Sequence, residues 1–393
     1  MQRIFIISLL LAGKLCGQGI QKTMLRLPDT GQTNSYTNTP GEDSDFLIHV
    51  PGYIDNGDGT LSDTITGLMW QKGDGGEMRY ASALVYCDTL TLGGYNDWRL
   101  PKPHEAFSLM NLQNVNPALN QIFINTTAEY WYTSVLQAND TGKIWATNAG
   151  GGIGNHPKTE TISAGGIKKF HPRAVRQVIP PTLLPTQFSD NGDGTVNDLV
   201  TGLTWKKNIS TDTLTWENAL VYADTCTSGG YIDWRLPNIK EIHSLNNESL
   251  VNPSVDPLFF PGSGLKKIWS STSLSNQTAK AWYLDTRYGI TTYYLKTRRI
   301  YTMLVRGSGN IITHASANQK EEAEWFLYPN PSGGKIRFSG ASPEDYFQVY
   351  KLSGELVFSG DAYSVENQCK LENGLFIVRE TGSGRSLKIL VTE

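Results

Sequence analysis

Cysteine is scarce. The 393-residue chain has four, and Cys16 lies in an N-terminal apolar segment, which leaves Cys87, Cys226 and Cys369. Three is odd, so a complete disulfide framework is excluded. Histidine is also sparse, at six: His49, His104, His156, His171, His243 and His314. Lysine plus arginine number 34 against 37 acids, a net charge of -3, so no global field favours nucleic acid. Gly-x-Ser-x-Gly, the Walker loop and His-Glu-x-x-His are all missing, which removes the commonest hydrolase, nucleotide and metalloprotease signatures. Beyond the N-terminus no apolar run approaches the roughly 20 residues that span a bilayer.

What is present is glycine, at 39 residues, and aromatics, at 10%, a loop-rich and strand-rich composition. One stretch occurs twice. Asp55-Asn56-Gly57-Asp58-Gly59-Thr60, Thr66-Gly67-Leu68, Trp70, Ala83-Leu84-Val85-Tyr86 and Gly93 to Pro101 return as Asp190 to Thr195, Thr201-Gly202-Leu203, Trp205, Ala219 to Tyr222 and Gly229 to Pro237. Two copies predict two structurally alike domains. No histidine recurs in both. Cys87 aligns with Ala223, and Cys226 with Leu90, so these cysteines read as small apolar residues on a helix.

The chain divides accordingly. Residues 1–19 have the shape of a secretory signal peptide: Arg3, then an apolar run from Ile4 to Ala12. Residues 20–45 are polar and read as a poorly ordered leader. The copies occupy 46–177 and 188–308, joined by a Pro-rich linker at 178–187. A polar linker at 309–325 precedes a third module at 326–393.

Within each copy the periodicity changes in order. Tyr53 to Asp63 and Phe188 to Asp198 read as strand-turn-strand, with Asn-Gly and Asp-Gly at the turn. Trp216, Ala219, Leu220 and Ala223 lie on one helix face, as do Tyr80, Ala83, Leu84 and Cys87. Gly-Gly ends that helix. A second helix follows Trp-Arg-Leu-Pro, with a capping box at Asn238 and Glu241 and with Pro103 and Glu105 at N1 and N3. Strands follow at Ile268–Thr272, Lys280–Thr286, Ile290–Lys296 and Tyr301–Arg306. Together these predict an α+β fold with antiparallel sheets and two helices per copy. The copies diverge late, where the first carries Gly150 to Gly154 and Gly165-Gly166.

Candidate sites follow. Asp55 and Asp190 open turns that invite calcium, but glycine stands where an EF-type loop needs side-chain oxygens at positions 3 and 5, and the turn explains these residues. Trp98-Arg99 and Trp234-Arg235 read as core and ion-pair residues, and Glu105 and Glu241 as caps. Between Gly264 and Arg306 the cations are Lys266, Lys267, Lys280, Arg287, Lys296, Arg298, Arg299 and Arg306, against the single acid Asp285. Tyr288, Tyr293, Tyr294 and Tyr301 are interleaved. Lys280, Arg287, Tyr293, Lys296, Arg298 and Arg299 are the candidate ligand-binding residues. Cations meet anionic groups and rings cover sugar C–H faces, which suits a sulfated or carboxylated polysaccharide. No catalytic residue, metal site or cofactor is expected.

These repeated motifs resemble the C-terminal domain of the Legionella collagen-like adhesin. Asn116-Pro117, Trp131, Asn252-Pro253, Trp269-Ser270-Ser271, Ala281-Trp282-Tyr283 and Val305-Arg306 extend the likeness over about 46–177 and 187–308. The resemblance implies two domains related to C-type lectins and to formylglycine-generating enzyme. It further implies a secreted, adhesive, glycosaminoglycan-type binder. A formylglycine-generating-type oxidase would need a cysteine pair for copper, and Cys87 and Cys226 fall in different copies. Leu327-Tyr328-Pro329-Asn330-Pro331, Val349 to Val357, Leu371 to Val378 and Lys388-Ile389-Leu390 resemble the type A sorting domain of type IX secretion, which reads as an all-β sandwich. That likeness implies a Gram-negative, Bacteroidetes-type cell, export by signal peptide and then type IX machinery, and attachment at the outer-membrane surface. The expectation is a non-enzymatic surface protein that binds anionic glycan, with a glycan-processing enzyme or a purely structural protein as alternatives.

Overall fold

A computed structural model of the chain describes residues 19–124, 127–159 and 170–307, and most of 326–391. The apolar N-terminal run, Gly165-Gly166 and the 309–325 linker lie outside the described residues. The chain forms two compact units, Met1–Thr313 and His314–Glu393.

In the first unit β1 (Ile20–Lys22) is followed by β2 (Tyr53–Asp55), β3 (Thr60–Asp63), β4 (Leu68–Gln71), α1 (Tyr80–Thr89) and α2 (Pro103–Ser108). Next come β5 (Tyr130–Gln137), β6 (Asp140–Asn148), β7 (Ile153–Pro157), β8 (Phe170–His171) and β9 (Val175–Gln177). After β10 (Thr182–Leu184) the second copy repeats the series: β11 (Phe188–Asp190), β12 (Thr195–Asp198), β13 (Leu203–Lys206), α3 (Trp216–Asp224), α4 (Ile239–His243), β14 (Lys267–Ser273), β15 (Lys280–Asp285), β16 (Ile290–Leu295) and β17 (Val305–Gly307). Each copy closes a sheet with its last strand, in the orders β2-β3-β4-β9 and β11-β12-β13-β17. A second sheet stands beside it, β7-β6-β5-β8 in the first copy and β14-β15-β16 in the second. Pairing is antiparallel except where β5 meets β8. The fold is β-rich, with few helices and antiparallel sheets.

The repeated motifs build this frame. Arg99 donates to both oxygens of Glu105 at 2.7 and 2.8 Å, and Arg235 does the same to Glu241 at 2.6 and 2.6 Å. Each glutamate also accepts the backbone N–H three residues earlier, at Lys102 and Asn238. One carboxylate thus starts the second helix and anchors the Trp-Arg-Leu-Pro strand to it. Trp216, Ala219, Leu220 and Ala223 are buried in a core with Trp234, Trp269 and Ala281. Tyr80, Ala83 and Cys87 do the same beneath Trp98 and Tyr132. The anchor at this point uses different rings: Tyr132 donates to the Met78 carbonyl at 2.9 Å, while Trp269 donates to the Leu214 carbonyl at 2.9 Å.

The copies are not beads on a string. One apolar core runs through both, joining Trp70, Phe107, Trp131 and Trp145 to Trp205, Ile239, Ile242 and Trp282. α2 and α4 meet across it with reciprocal contacts. Lys240 Nζ crosses to the Ser108 carbonyl at 2.8 Å, and His104 Nε2, at the equivalent position, lies 3.1 Å from the Asn246 carbonyl. His104 also sits 2.9 Å from Glu248. Burial works against a charge on His104, but Glu248 outweighs it and raises its pKa.

The leader is the main departure from expectation. Residues 20–45 are packed, not poorly ordered. β1 pairs with β10 inside the Pro-rich linker. Asp29, Thr30, Gln32, Glu42, Asp43 and Ser44 are all buried. The Gln32 amide pairs with both backbone groups of Ser273, at 3.0 Å each. Asp43 accepts from Thr30 and Thr272, and Glu42 from Ser273, Ser35 and the Tyr36 N–H. Polar composition there reflects burial among distant polar partners, which no local pattern reveals.

In the second unit β18 (Phe326–Tyr328) pairs with β19 (Arg337–Ser339). β20 (Tyr346–Lys351), β21 (Leu356–Asp361), β22 (Gly374–Glu380) and β23 (Ser386–Val391) form a sheet in the order β21-β20-β22-β23. The expected all-β sandwich is corrected by one helix, α5 (Ala362–Gln368), whose first turn is capped by Asp361 accepting from the Ser364 N–H at 2.7 Å. Val365 seats it in a core with Phe347, Val349 and Ile389.

The leader's carboxyls predict a pH dependence. Burial pushes Asp43 up to about 7 and also raises Asp29, with Glu42, Glu241, Arg235 and Lys240 nearby. A carboxyl whose folded pKa is raised stabilises the fold fully below its unfolded value, and that contribution is lost as pH rises through the folded value. Hydrogen exchange at residues 29–45, corrected for intrinsic chemistry, will be slower at pH 5 than at pH 7.5. Asp43→Asn will reduce that difference; an unchanged difference would show that Asp43 does not set it.

Candidate functional site

The six candidate residues sit on or beside β15 and β16 but do not form one patch. Trp282 pairs with Tyr293 and Lys280 with Leu295, so Lys280 and Tyr293 share one face. Lys280 Nζ lies 4.9 Å from the Tyr293 ring, and that ring meets Trp282 edge-on at 5.6 Å. Arg298 lies on the other side, 5.9 Å from Tyr294. Arg287 is exposed in the turn after β15, and Arg299 is exposed next to Arg298. Lys296 is buried, 9% exposed, with its ammonium 3.8 Å over the Trp216 ring. Burial lowers its pKa, opposed by Glu42 and Glu217. It is a core cation and is not available to a surface ligand.

Alternation assembles a different group. Lys267 pairs with Asp285, Trp269 with Tyr283, and Ala281 with Tyr294, so Lys267, Tyr283 and Tyr294 share a face. Lys267 Nζ stands 4.6 Å from the Tyr294 ring and 5.4 Å from the Tyr283 ring. Those rings meet edge-on at 5.4 Å. Arg298 approaches the Tyr294 ring at 5.9 Å; Lys266 covers Tyr301 at 4.2 Å as a separate pair, since Tyr301 bridges Ile268 on the opposite face of the strand. Cations held over rings keep their charge towards solvent while the rings fix their position. The residue-type bias in the sequence was real, but only the strand register says which cations share a ring. Tyr283 is a core residue, 4% exposed, that supports Lys267 from beneath.

Among the described residues the first copy has no such group. Where the second has Lys267, Tyr283 and Tyr294, the first has Tyr130, Ala146 and His156. Tyr130 stacks on Phe170 at 4.6 Å and meets His156 at 4.5 Å. Its charge lies deeper. His171 Nδ1 is 2.7 Å from Asp74, and Arg173 is 3.8 Å from the other Asp74 oxygen. Arg173 is 1% exposed and donates to the carbonyls of Gln71, Lys72, Gly73 and Ile124. Burial pushes its pKa to about 10, still charged at neutral pH. Burial would raise Asp74, but the His171 hydrogen bond and the Arg173 charge hold it below the usual value. His171 Nε2 lies 3.5 Å from the Thr127 hydroxyl. The second copy replaces Asp74, His171 and Arg173 by Ile209, Tyr301 and Met303.

The Asp-Asn-Gly-Asp-Gly turns are internally committed. Asp55 and Asp190 accept the Gly57 and Gly192 N–H at 3.0 Å each, and pair with Lys72 and Lys207. Asp58 and Asp193 each accept the N–H and hydroxyl of the threonine two residues on. Asp97 and Asp233 pair with Arg176 and Arg306, whose guanidinium groups lie 3.7 and 3.8 Å over Tyr95 and Tyr231. The glycine-rich Gly150–Gly154 stretch is a docking loop between copies. A Cβ on Gly151 would lie 2.9 Å from Leu112, and one on Gly152 would lie 3.4 Å from Trp282 of the other copy. The Ile153 N–H reaches the Thr291 hydroxyl at 2.9 Å.

This is a tandem pair of like α+β domains fused through a common core, with a cation–tyrosine face on the second. The chain belongs to the Lcl C-terminal domain family, whose sequence model matches residues 59–176 and 194–306. No curated protein matches it. No described helix is long and apolar enough to cross a membrane.

The buried trio yields a stability prediction. Arg173→Met alone leaves Asp74 buried with one countercharge fewer, at a cost of about 3–5 kcal/mol. Replacing all three residues by the second copy's Ile, Tyr and Met will recover most of that loss. Urea unfolding of wild type, the single variants Asp74→Ile, His171→Tyr and Arg173→Met, and the triple variant measures the coupling, and additive losses would show that the trio does not act as a unit.

Proposed function

We propose that the chain is an exported, surface-attached, non-enzymatic protein that binds anionic polysaccharide and mediates adhesion. The observation that carries this reading is the placement of Lys267 and Arg298 at the Tyr294 and Tyr283 rings, with Lys266 on Tyr301 close by in sequence. Ring-seated cations suit sulfate or carboxylate groups on a sugar chain, with the partly exposed Tyr294 meeting C–H surfaces. The lectin-related fold that the family resemblance implies would supply a binding scaffold. The tail's likeness to a type A sorting domain supports export by type IX secretion, and the N-terminal apolar run supports entry through a signal peptide.

Full-length protein will be retained on heparin at low salt and released at high salt, because exposed ion pairs are screened. Lys267→Ala with Arg298→Ala will weaken binding about tenfold, or about 1.4 kcal/mol, and flatten its salt dependence. Lys296→Ala will not flatten it, because that ammonium is buried. Absence of heparin binding at low salt by correctly folded protein would refute the reading.

One observation favours a second reading, a hydrolytic enzyme. Asp74 orients His171 towards the Thr127 hydroxyl, the order of carboxylate, base and nucleophile used in acyl transfer. Ester hydrolysis abolished by His171→Ala and retained by Lys267→Ala would establish it; no turnover above buffer would dismiss it.

A further inference from the structure

Where the leader, the Pro-rich linker and both copies meet, a cavity of about 870 Å³ opens to the surface. It falls within the roughly 300–1,000 Å³ of small-ligand sites. Its walls differ in kind. Ile20, Met24 and Leu27 of the leader, Leu183 of the linker and Val200 of the second copy make an aliphatic side. Arg26, Lys102, His104 and Glu248 supply the charge. No ring other than the His104 imidazole lines it, so nothing there is suited to stack on a base or cover a sugar.

Strand register brings the two kinds of wall together. In the β1–β10 pair Gln21 stands opposite Leu183, so their side chains share a face. Lys102 Nζ reaches the Gln21 Oε1 at 3.3 Å, which sets an ammonium beside that leucine. Leu183 is 67% exposed and Ile20 is 39% exposed, and an apolar occupant would release the water against them. The charges are not balanced. Glu248 is committed to His104 at 2.9 Å, and its carboxylate raises the imidazole pKa, so the protonated pair carries no net charge. His104 Nε2 also meets the Asn246 carbonyl at 3.1 Å. Arg26 is exposed and Lys102 half-buried, and among the described residues neither pairs with a carboxylate. Two accessible cations therefore face an aliphatic hollow without a counter-ion from the chain. Such a site favours an anion with a flexible apolar body, which Met24 can adjust to fit.

We propose that this cavity is a binding site for an aliphatic carboxylate, its alkyl chain against Ile20, Met24, Leu183 and Val200 and its carboxylate drawn to Arg26 and Lys102. The guanidinium and ammonium donate charge-assisted hydrogen bonds to the head group. The alkyl chain supplies affinity in proportion to the apolar surface it buries. The site does not depend on the cation–tyrosine face, with which it shares no residue.

The test is isothermal titration calorimetry of the full chain with octanoate, butyrate and 1-octanol at pH 7. The expected result is one saturable octanoate site per chain, with butyrate and 1-octanol each at least tenfold weaker. Arg26→Gln and Lys102→Gln should each weaken octanoate about tenfold and leave 1-octanol unchanged. Val200→Trp fills the aliphatic side and should abolish octanoate binding; if it fails to fold by circular dichroism, Arg26→Gln decides, because that side chain is exposed and its loss spares the core. Saturating octanoate should not release the protein from heparin, so the two sites stand or fall separately. Co-sedimentation with phosphatidylglycerol vesicles distinguishes a free carboxylate from a lipid surface. No octanoate binding up to 10 mM, equal affinity for octanoate and 1-octanol, uptake that does not saturate, or full binding by both Arg26→Gln and Lys102→Gln would each overturn the proposal. Vesicle binding without an octanoate site would overturn it in favour of a membrane face.

Discussion

Everything larger in the first unit depends on the place where α2 meets α4. Phe107 and His243 occupy equivalent positions and face each other at 4.8 Å. His243 is fully buried, with neither ring nitrogen partnered, and burial, followed by the charge of His104, pushes its pKa down to about 3. It therefore acts as a neutral ring filling an apolar space. Lys240 and His104 flank that contact and each reach the other copy's carbonyls. Two related copies with this geometry form a pseudo-dimer inside one chain, self-complementary in the way an isologous interface is. Fusing them through a common core fixes their relative placement and creates a groove that neither copy has alone.

Covalent linkage also frees the copies from the identity a true homodimer imposes. Each side of the interface can change independently, and the changes here come in sets. Asp74, His171 and Arg173 become Ile209, Tyr301 and Met303 together; Tyr130, Ala146 and His156 become Lys267, Tyr283 and Tyr294. In the first copy the charge is buried and knits the 71–74 loop to the strand that follows β8. In the second the same depth is apolar, and the charge has moved to the surface over rings. Buried charge needs partners to be tolerable, so a set can only change as a set.

Much of the scaffold was legible in the sequence because its cues are local. The Asn238–Glu241 box, the Trp216-Ala219-Leu220-Ala223 face and the turn at Asp190 need only neighbours within a few residues. The leader was illegible for the opposite reason. Gln32 finds Ser273, and Asp43 finds Thr272, across more than 200 residues of chain, so a polar stretch that reads as solvent-exposed is buried. The tail helix was hidden because Tyr363 and Val365 alternate as a strand would, while Asp361 supplies the cap that decides for helix. The candidate site was legible in composition and not in arrangement. Eight cations could be counted, yet only register places Lys267 with Tyr294 and puts Lys296 under Trp216.

That division separates what the two copies share from what each holds alone. Residues that recur in both copies are each used up by geometry: the aspartates by turn amides and lysines, Arg99 and Arg235 by glutamates, Asp97 and Asp233 by arginines stacked on tyrosine. A side chain whose donors and acceptors are already paired within the fold has little left for a ligand. The repeated tryptophans keep unpaired indole nitrogens in the core, at Trp70 and Trp205, whereas the ring-seated cations Lys267 and Arg298 lie in the later half of the second copy. Lys267 and Arg298 lack a carboxylate partner among the described residues. The same economy of hydrogen bonds that makes the repeated motifs so regular leaves spare charge at the cations and not at the turns.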